Sequence, residues 1–287
     1  MQINPVFRKE LKLGARSARL PIVMLIFNSV LAFISLLVFY SIIESARWSG
    51  VMDYPSVIVL YVVIIGIEGV LLAFIVPALT ASTISGERER QTLDILLTTR
   101  MTPYGIISGK LMSSVSMIVL IVLSSIPVIS IVFIFGGVSL GDVIRVVMYL
   151  IFAAVFFGTL GISCSARFKK TTSSTVVAYG GVLGLCAGTV LIVAIGALIA
   201  AFSPNLSVRS VVGVLAVLLL INPGMTTAAI LIHQLAYGAA ADTALNSLFG
   251  VPMFLSEHWI LISIIVQVIF ILILLWRSCG SLKPKKM

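Results

Sequence analysis

The chain has 287 residues, of which 60% are hydrophobic and only 10% are charged, and its formal net charge at pH 7 is +9. A soluble globular domain carries about 25% charged residues, so this composition excludes a soluble protein. Several apolar runs exceed the ~18 residues that predict a transmembrane helix. We therefore predict an all-α polytopic membrane protein with a single transmembrane domain over residues 1–287. The sequence has no basic, aromatic-interleaved soluble patch, which argues against a nucleic-acid partner.

Residues 4–20 have the pattern of a basic amphipathic helix. Asn4 precedes Pro5, the order expected where a helix begins. Four basic residues then fall on one helical face: Arg8, Lys12, Arg16 and Arg19. We expect this helix to lie along the inner membrane surface, either as a plain anchor to anionic membrane lipid or in a specific docking role.

Six segments are predicted to cross the membrane: 21–43, 56–80, 104–136, 143–167, 173–202 and 258–277. If the N-terminus is cytoplasmic, sixteen Lys and Arg residues fall in inner segments and three in outer segments. This asymmetry follows the positive-inside rule. It predicts a multi-pass protein of a plasma or inner cell membrane with both termini in the cytoplasm.

The second predicted span contains one acidic residue, Glu68, near its middle. An acid at the centre of a spanning helix costs about 2.5–3.5 kcal/mol, so its side chain is expected to face protein or water. Glu68 is therefore an intramembrane polar candidate with two interpretations. It is either a substrate-cation or proton site for transport, or a hydrogen-bonded glutamate, ionised or protonated, at a helix or dimer contact.

A dense charge cluster separates the second and third spans. Six of the ten residues 85–94 are charged or carry an amide, and such a cluster must face water rather than lipid. Ser85 is expected to cap a helix whose first turn carries Glu87 and Glu89, where the helix dipole favours anions. Leucines and a methionine follow at helical spacing, which predicts an amphipathic helix over residues 86–100 on the inner face. Composition alone also fits a solvated loop.

Residues 204–257 are harder to assign. An apolar run over 211–221 ends at Asn222 and Pro223, which break any helix, and a second moderately apolar run covers 225–241. We predict two short helices that form a re-entrant or interfacial hairpin on the outer face. The alternative is an eight-span protein in which both runs cross fully.

Several motifs resemble one known family. The charged cluster reads Ile84-Ser85-Gly86-Glu87-Arg88-Glu89-Arg90-Gln91-Thr92-Leu93-Asp94-Ile95-Leu96-Leu97, followed by Thr102-Pro103 and Gly109-Lys110. This segment, the opening residues 4–11 and the Asn222-Pro223 pair resemble ABC type-2 permeases, the membrane subunits of ATP-binding-cassette exporters. Two departures from the family pattern are Arg100-Met101 and Gln91. The family usually has glycine at the position of Gln91, and glutamine there is expected to give a more regular helix.

The resemblance implies that residues 84–101 are a cytoplasmic coupling helix that docks on a separate ABC ATPase subunit. The implied coupling residues are Glu87, Arg88, Glu89, Arg90, Thr92 and Asp94. Alternating Glu and Arg are expected to present both signs of charge to that partner. A second permease chain, identical or paralogous, is implied as well.

No catalytic residue, metal site or cofactor is predicted for this chain. It lacks the GxxxxGK[ST] pattern, so ATP and Mg²⁺ would be bound by the partner ATPase. The three cysteines have no metal-ligand spacing. Two other functions stay open: a secondary transporter, and a ligand-sensing or immunity protein that uses the same fold.

Overall fold

The computed structural model describes residues 17–49, 54–92, 103–134, 138–203, 207–236 and 253–281, together with the single residue Phe7. Within these ranges every regular element is a helix. Most of the predicted amphipathic helix over 4–20, including Arg8, Lys12 and Arg16, lies outside the described residues.

The helices follow one another along the chain. They are α1 (Arg19–Ser49), α2 (Tyr54–Thr80), α3 (Ser85–Glu89), α4 (Pro103–Ser124), α5 (Ile126–Ile129), α6 (Ile131–Ile134), α7 (Leu140–Arg167), α8 (Thr171–Leu183), α9 (Thr189–Phe202), α10 (Val208–Leu215), α11 (Pro223–Ala236), α12 (Met253–Glu257) and α13 (Trp259–Ser281). A π-helical segment, Gly184–Gly188, joins α8 to α9, and a 3₁₀ segment, Ala216–Ile221, continues α10.

Six helical stretches among the described residues are long and apolar enough to cross a membrane: Leu20–Trp48, Ile58–Glu89, Tyr104–Ile129, Leu140–Arg167, Thr171–Phe202 and Trp259–Ser281. The chain is therefore a multi-pass membrane protein. Each of the six predicted spans corresponds to one of these stretches, and counting the bent pair of Ser210–Ile221 and Pro223–Leu235 as one further span makes seven. The predicted third span, 104–136, is not one continuous helix, because α4 ends at Ser124 and α5 begins at Ile126. Pro127 explains the interruption, since proline lacks an N–H and its ring clashes with the preceding turn.

The chain divides into two compact units, one formed by Met1–Val176 with Leu275–Met287 and the other by Val177–Leu274. In the first unit α7 is the most buried spanning helix. Of an 18-residue apolar stretch of this helix, 67% is buried, whereas the corresponding share in α1 is 17%. Its packing against α2 depends on Gly161, where a Cβ atom would collide with the Thr80 hydroxyl. Small residues of this kind allow helix backbones to approach closely.

The second unit is built around a bent helix pair. The two arms, Ser210–Ile221 and Pro223–Leu235, meet at 103°, with the break at the predicted Asn222-Pro223 position. The first arm packs in an apolar cluster with Val193 and the buried Trp259. The helix α11 has 14 residues, fewer than the ~17 needed to cross a bilayer.

Candidate functional site

The charged cluster forms a five-residue helix, α3, from Ser85 to Glu89. The prediction of one amphipathic helix over 86–100 is wrong, because the helix stops at Glu89. Residues 93–100, which include the predicted coupling residue Asp94, lie outside the described residues.

Helix α3 ends in a Schellman-type turn. The Gln91 N–H donates to the Arg88 carbonyl at 3.1 Å, and the Thr92 N–H donates to the Glu87 carbonyl at 2.9 Å. This pattern needs a left-handed residue at the position after the cap, and Gln91 has φ 57° there. The expectation that Gln91 would make the helix more regular is therefore wrong. Glutamine instead occupies a conformation that favours glycine, at a cost of about 1–2 kcal/mol.

The start of α3 is capped by another helix. Ser165 of α7 accepts hydrogen bonds from the Ile84 and Ser85 backbone N–H groups, each at 2.9 Å. The prediction that Ser85 is the cap is wrong, because Ser85 is already helical and its hydroxyl donates to the Ala81 carbonyl at 3.1 Å. The serine that satisfies the free N–H groups comes from about 80 residues further along the chain.

Glu87 connects α3 to α4. Its carboxylate lies 2.9 Å from the ammonium group of Lys110, which is only 3% exposed and also donates to the Thr83 carbonyl at 3.0 Å. Lys110 was not among the predicted site residues. The available signal was a single lysine near the start of a mostly apolar span.

Arg88 connects α3 to the end of α7. Its guanidinium donates to the carbonyls of Phe168, at 3.0 Å, and Ala166, at 3.1 Å. The last carbonyls of a helix have no intrahelical donor, and a cation near them is favoured by the helix dipole. Arg88 satisfies two of these groups at once.

Glu89 connects α3 to the first turn of α8. Its two carboxylate oxygens accept from the Thr171 backbone N–H at 3.0 Å and the Thr171 hydroxyl at 2.9 Å. A carboxylate at a helix N-terminus meets unpaired N–H groups and the positive end of the dipole. Three consecutive charged residues thus contact three different helices.

The remaining predicted residues face outward. Arg90 and Thr92 are exposed, and so are Arg167, Lys169 and Lys170 in and beside the turn between α7 and α8. Among the described residues none of these four cations forms an ion pair. Glu87 and Arg88, by contrast, bind inward to α4 and α7. That the alternating charges meet a partner stays a prediction. The exposed surface is predominantly basic.

Glu68 lies at a separate polar site in the same unit. Its side chain is fully buried, and the Ser125 hydroxyl lies 2.6 Å from its Oε1. Ser125 occupies the interruption of the third span, so this contact joins α2 to the break between α4 and α5. The described residues contain no group of three or more His, Cys, Asp or Glu able to hold a metal ion.

Asn222 fixes the bend in the second unit. Its amide nitrogen donates to the Cys186 carbonyl at 2.8 Å and the Thr189 hydroxyl at 2.9 Å. Its amide oxygen accepts from the N–H groups of Gly224, at 2.9 Å, and Met225, at 3.3 Å. Asn222 is thus the N-cap of α11, with Pro223 at the first helical position. The same side chain binds the π-helical segment, where a carbonyl is available to an outside donor.

No protein-family model matches the sequence, and no curated protein matches it either. The interpretation of α3 therefore depends on its own residues and contacts.

Proposed function

We propose that this chain is the membrane-embedded permease subunit of an ATP-driven ABC exporter, with α3 as the element that a separate ATPase subunit moves. One observation carries the proposal. Through Glu87, Arg88 and Glu89, the short charged helix is bonded to α4, α7 and α8, while the turn that follows it is exposed.

These bonds make α3 suited to transmit force. A mobile loop would absorb a displacement, whereas a capped helix tied to three others passes it to the spans. Small shifts at such an element become larger movements because packed helices do not deform continuously. Arg88 and Glu89 bind opposite sides of the turn between α7 and α8, so both spans would follow α3.

The exposed surface beside α3 indicates the chemistry of the partner. Arg90 directly follows Arg88 and Glu89, which are bonded to either side of the turn beside the exposed residues Arg167, Lys169 and Lys170. A surface with one dominant sign steers and orients a partner of the opposite sign. The proposed ATPase therefore presents acidic residues to this patch.

In this proposal α3 and both termini are cytoplasmic, the helix over 4–20 lies on the inner membrane surface, and the bent pair at Asn222 is re-entrant on the outer face. Two permease chains pair with two ATPase subunits, which bind ATP and Mg²⁺. ATP binding draws the two copies of α3 together and opens a path for the substrate.

The test is recovery of the partner from native membranes. Affinity-tagged chain is purified in mild detergent, and co-purifying proteins are identified by mass spectrometry. We expect an ATPase with a GxxxxGK[ST] motif. The Arg90→Glu variant should weaken its binding about tenfold or more, equivalent to ~1.4 kcal/mol. Arg47→Glu, at an exposed site at the end of α1, is the matched control and should bind normally. Recovery of the intact permease without any ATPase would contradict the proposal.

A further inference from the structure

Two consecutive serines at the break in the third span each contact a polar side chain of a different helix. Ser124 contacts Asn28 of α1, and Ser125 contacts Glu68 of α2. Each serine also contacts the carbonyl three residues before it, Ile121 or Val122. The two serines therefore have the same set of contacts. The hydrogen positions at Ser124 indicate where the hydrogens lie at Ser125.

At Ser124 every hydrogen has one acceptor. The Asn28 amide nitrogen donates to the Ser124 hydroxyl oxygen at 2.8 Å, and that hydroxyl donates to the Ile121 carbonyl at 2.6 Å. A hydroxyl has one hydrogen to give and lone pairs to accept with, so the chain of donors is complete.

At Ser125 the hydrogens balance only if Glu68 supplies one. The Ser125 hydroxyl oxygen is 2.6 Å from Glu68 Oε1 and 2.7 Å from the Val122 carbonyl. An ionised carboxylate only accepts, so both neighbours would compete for a single hydroxyl hydrogen. One short contact would then join two oxygens with no hydrogen between them. A hydrogen on Glu68 Oε1 removes the conflict, because Glu68 donates to Ser125 as Asn28 donates to Ser124.

The surroundings of Glu68 also favour the uncharged form. The residue is fully buried in the middle of α2, and it forms no ion pair with any described residue. Its Oε2 has no hydrogen-bond donor among the described residues. An isolated carboxylate in an apolar interior is far more costly than a neutral acid.

We propose that Glu68 is a proton-binding site whose carboxylic acid stays protonated and donates a hydrogen bond to Ser125. The ligand of this intramembrane polar site is thus a proton rather than a transported cation. The bound proton joins α2 to the break in the third span, as the Asn28 amide joins α1 to it. This inference needs only a membrane-embedded chain and does not rest on the coupling role of α3.

The direct test is infrared spectroscopy of the purified protein in lipid vesicles at neutral pH. The Glu68→Gln difference spectrum should show loss of one carboxylic-acid C=O band and no loss of carboxylate bands. Glu44→Gln, which changes a partly exposed acid paired with Arg47 near the end of α1, is the control and should remove carboxylate intensity. Loss of carboxylate intensity in Glu68→Gln would overturn the proposal.

Thermal unfolding gives a second readout. Glutamine can donate its amide N–H to Ser125, so Glu68→Gln should unfold within a few degrees of the unmodified chain. Glu68→Ala and Ser125→Ala each remove a member of the contact and should both unfold distinctly earlier. If Glu68→Gln loses as much as Glu68→Ala, a hydrogen-bonding group at this position does not hold the contact with Ser125 and the proposal fails.

Discussion

The carboxylate of Glu89 accepts hydrogen bonds from both donors of Thr171, one on the backbone and one on the side chain. This contact attaches the C-terminal end of α3 to the N-terminal end of α8, although 82 residues separate them. The joint is surface-exposed, so its contribution to global stability is small. Its effect should therefore be local.

Thr171→Val tests this joint. The substitution keeps the backbone N–H but removes the hydroxyl donor, and a single hydrogen bond of this kind contributes about 1 kcal/mol. We expect faster amide hydrogen exchange over residues 84–92 with little change in unfolding temperature. Thr172→Val, at the exposed neighbouring position, should leave exchange unchanged. Equal exchange in both variants would mean that Glu89 does not hold α3.

The Glu87–Lys110 pair should contribute more to stability, because Lys110 is buried. Lys110→Met leaves the Glu87 charge without its cation and the Thr83 carbonyl without this donor. Breaking a buried pair in this way costs about 3–5 kcal/mol, and the partial exposure of Glu87 favours the lower end. The measurement is the thermal unfolding midpoint in detergent, with Lys169→Met at an exposed site as the control.

The double variant Glu87→Gln/Lys110→Met distinguishes the pair from loss of packing. Removing both charges leaves no uncompensated ion, so the double variant should unfold at a higher temperature than Lys110→Met alone. If the two losses simply add, the contact between Glu87 and Lys110 is not what stabilises α3.

Gln91 offers a gain of stability. Gln91→Gly relieves the left-handed strain by about 1 kcal/mol, although the more flexible unfolded chain offsets part of that gain. Gln91→Ala keeps the strain and should give no gain. Both variants are compared by thermal unfolding. A Gln91→Gly variant less stable than Gln91→Ala would show that relief of the left-handed strain does not stabilise this turn.

The sequence was most informative where structure is local. Hydropathy located the six spans, and the Asn222-Pro223 pair located the sharp bend, because length and proline geometry act within a few residues. The start and end of α3 were mispredicted for the opposite reason. Ser165 replaces Ser85 as its cap, and the contacts of Glu87, Arg88 and Glu89 hold the segment that ends at Gln91. None of these partners can be read from nearby sequence.

Asn222 should be a critical residue of the second unit. It is almost fully buried, and its amide uses both hydrogens and accepts two hydrogen bonds. Asn222→Ala removes the N-cap of α11 and leaves the Cys186 carbonyl without this donor, a loss of about 2–4 kcal/mol. Asn222→Ser restores a capping oxygen and should recover about 1 kcal/mol. Equal unfolding midpoints for the two variants would contradict the capping role.

The close approach of α2 and α7 gives the final prediction. A Cβ atom at Gly161 would collide with the Thr80 hydroxyl and lie 3.3 Å from the Ala81 nitrogen, whereas at Gly158 the nearest atom is 3.6 Å away. Gly161→Ala should therefore cost about 1–3 kcal/mol through overpacking, and Gly158→Ala should be tolerated. Thr80→Ala removes the colliding hydroxyl but not the backbone contact. The double variant Gly161→Ala/Thr80→Ala should therefore recover only part of the stability that Gly161→Ala loses, with Thr80→Ala alone as the reference. Thermal unfolding of the four variants checks this order, and a tolerated Gly161→Ala would show that the helices separate without cost.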